Sequence, residues 1–189
     1  MSTLNNSQPA REPLTVDLFI ARSKTFGPVL LNHIKTHAIT WALLIALYGV
    51  IHANYRLAIN QTPSLPYKLF LISLDEKVET GGLIAFRWHN GAPYPDGYTF
   101  TKRLLAGPGD IVTRNGRDFA VGGRTLIGKE VGLSLRKLFP NDELHEGKNT
   151  LQLGKYFVAG DHEYSLDSRY NLLGLVDKKD VIGRAYPIF

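Results

Sequence analysis

Ser64 lies between two prolines in Thr62-Pro63-Ser64-Leu65-Pro66. Lys102 heads a stretch, Lys-Arg-Leu-Leu-Ala, that ends in the turn Gly107-Pro108-Gly109-Asp110. A serine hydroxyl is a weak nucleophile at neutral pH and needs a base beside it. A lysine can be that base only where burial disfavours its ammonium form. The apolar neighbours of Lys102 could supply that burial. Together the two residue types describe a hydrolytic serine–lysine pair that needs no histidine. Each also has a plain structural reading: a serine between prolines is commonly a turn residue, and a lysine in an alternating strand commonly faces solvent.

Other chemistries find little in the chain. It has no cysteine, which excludes disulfides, thiolate metal sites and a cysteine nucleophile but does not identify the compartment. Its six histidines show no H-E-x-x-H or similar ligand spacing, so neither a metal nor a cofactor is expected. His89, His145 and His162 read as surface or structural residues. The net charge of +5 comes from scattered basic residues without a cluster of the nucleic-acid type; no nucleic-acid partner is expected.

The elements that must position Ser64 and Lys102 fall into an appendage and one domain, as suits 189 residues with 44% hydrophobic and 21% charged content. Residues 1–37 mix polar and apolar types without a clean period and read as a cytoplasmic segment. Residues 38–53 (AITWALLIALYGVIHA) carry no formal charge and are apolar all round. Their length is at the short edge of a bilayer span, and a buried core helix is the competing reading. Trp41 and Tyr48, placed for the interfaces, favour a single transmembrane helix. Basic residues weigh more before the segment (Arg22, Lys24, Lys35) than after it (Arg56, Lys68). The N-terminus is therefore expected in the cytoplasm and the following domain outside the plasma membrane. A cleaved leader fits less well, because the leading region is long and Ile51 stands where a small residue is wanted.

From residue 57 to 189 the pattern is one of short strands broken by glycine and proline. Candidates are 68–74, 83–88, 98–106, 110–114, 118–121, 152–159 and 181–186. Asn115-Gly116 and Gly122-Gly123 read as hairpin turns. This rhythm implies an all-β, barrel-like domain, interrupted by a more polar insertion, helical or loop, at 129–149. Leu65, Leu69, Phe70 and Leu71, just after the serine, form either a core strand or an outward apolar surface that meets lipid.

Ser64 after an apolar segment, Lys102-Arg103 before Gly-Pro-Gly-Asp, and Gly160-Asp161…Ser165-Leu166-Asp167-Ser168-Arg169 occur in that order. Together they resemble signal peptidase I, peptidase family S26, whose members are membrane-anchored serine–lysine endopeptidases. Ser64-Leu65-Pro66 is one residue shorter than the Ser-Met-x-Pro of ordinary members and lacks its methionine. Followed by Leu69-Phe70, it is most similar to the TraF-type enzymes of conjugative transfer. The Gly-Pro-Gly-Asp turn resembles the ordinary members.

The resemblance implies Ser64 as nucleophile, Lys102 as general base, and an oxyanion hole from the Ser64 N–H and the Thr62 hydroxyl. It makes Ser165 a hydrogen-bond partner of the lysine. Asp167 would pair with Arg169 and Arg103, and Asp161 would fix a turn. The implied substrate is an exported precursor, most simply a pilin of a conjugative (type IV secretion) system, which the enzyme could also close head to tail. A housekeeping signal peptidase and an idle scaffold of pilus assembly are the alternatives.

Overall fold

The computed structural model describes residues 16–74, 76–132 and 135–189, with side chains from Phe26 onward. Residues 1–15 of the expected N-terminal segment and positions 133 and 134 of the insertion lie outside them. The chain divides into two units, Met1–Val50 and Ile51–Phe189.

The first unit holds α1 (Val16–Thr36) and most of α2 (Ala38–Asn54). The segment before residue 38, read as having no clean period, is thus helical from Val16. Its stripe Phe26, Leu30, Ile34 recurs every fourth residue, a helical spacing, but Gly27, Pro28 and Asn32 interleave and mask it. α2 coincides with the apolar segment and buries none of its residues. Among the described residues no single helix is long and apolar enough to cross a membrane. Phe26–Thr36 and Ala38–Asn54, bent by 84° at their break, pass that test only as a pair.

The second unit is almost entirely antiparallel β structure. One sheet has the order β1-β2-β11-β3-β4-β9-β10, from Tyr55–Ile59, Leu69–Leu74, Val181–Pro187, Leu83–Arg87, Thr99–Ala106, Lys155–Ala159 and Val176–Asp177. A smaller sheet, β7-β6-β5-β8, comprises Arg124–Leu126, Asp118–Val121, Ile111–Asn115 and Gly147–Thr150. The seven expected strands are present with ends shifted by up to three residues. Four short ones, β1, β7, β8 and β10, were not anticipated. The insertion is loop rather than helix among its described residues and ends in β8, whose Gly147-Lys148-Asn149-Thr150 lacks the β-branched run that announces a strand.

Both hairpins form. Val121 pairs with Arg124 around Gly122-Gly123, both at positive φ (54° and 74°), as a type I′ turn requires. In the other, Asn115 pairs with Asp118, so the loop is Gly116-Arg117 and Asn115 is the last strand residue. Between the sheets, Gly107-Pro108-Gly109-Asp110 is a type II turn. The Asp110 N–H donates to the Gly107 carbonyl (3.0 Å), Gly109 takes φ 87°, and Asp110 Oδ2 accepts from the Gly107 N–H (2.8 Å).

β4 is the shared wall. Leu104 packs with Ile84, Trp88 and Val158, whereas Leu105, on the other face, packs with Val112, Phe119 and Phe157. Leu65, Phe70 and Ile72 join a third cluster with Leu83 and Ala185, while Leu69 and Leu71 are half-buried. Of the residues after Ser64, Leu65 and Phe70 are therefore core, while Leu69 and Leu71 stand partly exposed on the other face of β2. Phe157 is fully buried in β9, beside β4, with its ring 5.7 Å from that of Phe119. Phe157→Ala should lower unfolding free energy by about 3–5 kcal/mol, read by chemical denaturation.

Candidate active site

Ser64 sits in the loop from β1 to β2, and Asn60 shapes that loop. The Asn60 side-chain amide donates to the carbonyls of Leu65 (3.2 Å) and Tyr67 (2.9 Å). Its Oδ1 accepts from the N–H and the hydroxyl of Thr62, both at 3.2 Å. One side chain thus ties both ends of the Thr62–Pro66 turn. An asparagine opening a Pro-rich loop is a turn signal in its own right, and it was overlooked. Ser64 itself is buried, with Oγ 2.9 Å from Thr62 Oγ1. Its carbonyl accepts from the N–H groups of Asp161 (2.7 Å) and His162 (3.3 Å). Among the described residues no acceptor takes the Ser64 N–H.

Lys102 leaves β4 on the same face as Phe100 and Leu104, by the two-residue alternation of a strand. It is 3% exposed, and Nζ donates to Ser165 Oγ at 2.8 Å. Nζ also lies 5.8 Å from the Phe100 ring, which itself packs on Trp88 and Tyr94. Burial in this apolar wall pushes the amine down to about 8, against a partial counter-pull from the Asp167 carboxylate. About a tenth of it is then neutral at pH 7, far more than of an ordinary lysine. The solvent-facing reading of this lysine does not hold.

Residues 160–169 bring the third side of the site. Ser165 is buried and receives the Lys102 hydrogen bond. Asp167, fully buried, meets Arg169 in a two-point pair, Nε to Oδ1 at 2.8 Å and Nη2 to Oδ2 at 2.9 Å. Arg169 also donates to the Ser165 carbonyl (3.3 Å), and Asp167 Oδ2 accepts from the Gly160 N–H (3.1 Å). The expected Asp167–Arg103 pair is absent. Arg103, one residue beyond Lys102 on β4, leaves the opposite face and forks onto Asp161 instead, at 3.0 and 2.8 Å. That guanidinium holds the Asp161 carboxyl below its usual range. Gly160 is required by space: a Cβ there would stand 2.6 Å from the Ser165 Cβ and 2.7 Å from the Ser64 carbonyl oxygen.

Thr62, Ser64, Lys102 and Ser165 all line one cavity of about 330 Å³, walled further by Tyr94 and Tyr164. His162, read as a surface residue, also lines it. An oxygen nucleophile, an amine of lowered basicity and an unused backbone donor thus share one cleft with room for a peptide. A model of the family described as signal peptidase, peptidase S26, matches residues 30–189.

The chain belongs to this family.

It is a signal-peptidase-type serine endopeptidase, and signal peptidases act on exported precursors that bear signal peptides. Among solved structures the peptidase is similar to a signal peptidase I from Enterococcus faecalis V583. Identity is 27%, covering 58% of this chain and 97% of that one, with a TM-score of 0.34. No curated protein matches the chain.

The buried amine has a measurable consequence for the peptidase. Lys102 has a folded-state value of about 8 against an ordinary 10.5, so below pH 8 the native state carries a penalised ammonium. That penalty fades as pH rises to 10.5, because the unfolded chain then holds more protons than the folded one. Lys102→Met should remove a penalty on the order of 3 kcal/mol and lose one hydrogen bond worth about 1 kcal/mol. A net stabilisation of roughly 2 kcal/mol at pH 7, turning into a net loss of about 1 kcal/mol above pH 10.5, is expected from denaturation at both pH values. Asp167→Ala should do the reverse. It leaves the Arg169 charge buried alone, at about 3–5 kcal/mol.

Proposed function

We propose that the peptidase is anchored by α2 in the plasma membrane and uses Ser64 and Lys102 as its catalytic dyad outside it. The observation that carries the dyad is the buried Lys102 amine, lowered to about 8, in the same cleft as Ser64. Ser64 Oγ attacks the scissile carbonyl carbon as its proton passes to neutral Lys102 Nζ. The oxyanion accepts from the Ser64 N–H and from Thr62 Oγ1, which turns away from Asn60. Collapse expels the amine of the downstream segment, which takes the proton from Lys102. The upstream segment remains as an ester on Ser64. Ser165 is a positioning residue: by accepting one N–H of Lys102 it fixes where the lone pair points.

For the anchor, the support is composition. α2 holds 17 residues without a formal charge and buries none of them. At about 26 Å it falls slightly short of a hydrocarbon core of about 30 Å, a mismatch that local thinning accommodates. For the substrate, the support is Ser64-Leu65-Pro66 with Leu69-Phe70, which resembles the transfer-type enzymes. We therefore read the precursor as a pilin of a conjugative apparatus. Its ester on Ser64 is resolved either by water or by the pilin's own N-terminal amine. In the second route the amine nitrogen bonds to the acyl carbon, the bond between that carbon and Ser64 Oγ breaks, and the proton returns through Lys102 to Ser64 Oγ. An amine held against the ester outcompetes water through its effective concentration.

Ser64→Ala and Lys102→Arg should each abolish precursor cleavage, the latter because a guanidinium keeps its proton. Thr62→Val should slow turnover about a hundredfold with the fold intact. Cleavage at wild-type rate by Lys102→Arg would exclude the lysine as base.

The pH profile is a separate test. The base must be neutral, so kcat/KM should climb about tenfold per pH unit and level off above about 8. The intact mass of pilin made with active peptidase distinguishes the two routes. A ring is lighter by one water than the linear chain of the same residues, whereas a linear mass with a free N-terminus leaves hydrolysis.

A further inference from the structure

α1 presents an apolar stripe for which the second unit is not needed. Phe26, Leu30 and Ile34 follow one another at four-residue spacing, with Leu31 beside them, and all are exposed. The opposite side of the wheel carries Asn32, Lys35 and Thr36, and by sequence position Lys24 as well. Basic residues dominate the helix: Arg22, Lys24 and Lys35 against Asp17. An apolar stripe opposed by a basic polar face is the composition of a helix lying at a bilayer surface.

The bend gives the orientation. α1 and α2 meet at 84°, so if α2 stands along the membrane normal, α1 lies close to the membrane plane. The corner is ordered. The His37 N–H donates to the His33 carbonyl and the Trp41 N–H to the His37 carbonyl, both at 3.0 Å. The His33 ring packs against those of His37 (4.7 Å) and Trp41 (6.3 Å). Two imidazoles and an indole at one corner suit the headgroup layer, where rings with one polar edge settle.

Pro28 argues against the alternative of a broken span. It lies inside α1 and has no N–H, so the Lys24 carbonyl loses its helical donor. In hydrocarbon such a carbonyl is costly, while at the interface water satisfies it. Lys35, Asn32 and His33 would also have to enter the hydrocarbon.

We propose that α1 lies flat on the cytoplasmic membrane surface, its Phe26–Leu30–Ile34 stripe in the lipid and its lysines on anionic headgroups. This rests on the reading of α2 as the anchor. The helix, about 31 Å long, would fix the tilt of α2 from the cytoplasmic side by bringing negative lipid charge to its basic face.

The cysteine-free chain accepts single spin labels directly. Full-length peptidase carrying Phe26→Cys, Leu30→Cys, Asn32→Cys, Thr36→Cys or Ala46→Cys is placed in nanodiscs of phosphatidylcholine with or without phosphatidylglycerol. Collisions with oxygen and with a water-soluble nickel complex are then measured. With anionic lipid, positions 26 and 30 should favour oxygen, and 32 and 36 should favour nickel. Position 46 should be deep in both lipids. Without phosphatidylglycerol, or with Lys24→Glu and Lys35→Glu together, the oxygen preference at 26 and 30 should fall severalfold while position 46 is unchanged. Depth that increases steadily along 26, 30, 32 and 36 would overturn the proposal in favour of a broken span. Nickel access at all four α1 positions, with 46 still deep, would overturn it while sparing the anchor. Nickel access at position 46 would remove the anchor and the inference together.

Discussion

The site depends on keeping a lysine amine dry. Among the described residues Lys102 Nζ has one hydrogen-bond partner, Ser165 Oγ, with the Phe100 ring beside it and the cleft in front. Water reaching it would ease the desolvation and raise its value back toward that of an ordinary lysine. Much of the architecture serves that exclusion. β4 is an interior strand of the sheet, paired with β3 from Thr99 to Arg103 and with β9 from Arg103 to Ala106. The rings of Trp88 and Phe100 stack at 5.0 Å on the apolar side of Lys102, and residues 160–169 contribute Ser165 on the other.

Closure by that last segment needs its own support, since a loop has no ladder to hold it. Asp167 and Arg169 provide it as a buried pair whose remaining hydrogen-bonding capacity goes to backbone: the Gly160 N–H and the carbonyls of Ile127 and Ser165. A buried pair contributes little net stability. Its value here is geometric, because it locks the position of Ser165 relative to β9. Gly160 then lets Ser165 and the Ser64 carbonyl approach more closely than any side chain would allow. The Ser64 loop, Lys102 and Ser165 thus converge although far apart in the chain.

What the sequence showed and hid follows the same physics. The strands with dense β-branched or aromatic residues were legible, as were both glycine turns. β8 and β10 were not, since tertiary pairing and not composition makes them strands. Lys102 was legible as chemistry, and its burial was readable too: Phe100, Lys102 and Leu104 alternate with Thr101 and Arg103, which puts the lysine on the apolar face. That same alternation sends Arg103 away from Asp167 to Asp161, a pairing that motif order alone could not reveal. Asn60 is legible as a turn former, but only the fold shows that its side chain reaches the Leu65 and Tyr67 carbonyls across the loop. α1 was hidden by Gly27 and Pro28, which break the run while leaving the apolar stripe intact.

The hydrogen bonds of the resting cleft bear on how the dyad would operate. Ser64 Oγ is engaged with Thr62 and Lys102 Nζ with Ser165, so each of the two proposed dyad members holds another partner. Thr62 has a single hydroxyl proton for two acceptors, Asn60 Oδ1 and Ser64 Oγ. Donation to Asn60 leaves Thr62 to accept from Ser64, which keeps the serine protonated. On the proposed mechanism, a substrate carbonyl entering beside the Ser64 N–H would offer Thr62 a more negative acceptor as charge develops. The hydroxyl would then turn, releasing Ser64 Oγ toward Lys102. Such coupling would tie deprotonation of the serine to the presence of a carbonyl, so that nucleophile activation and oxyanion stabilisation would arise from one rotation.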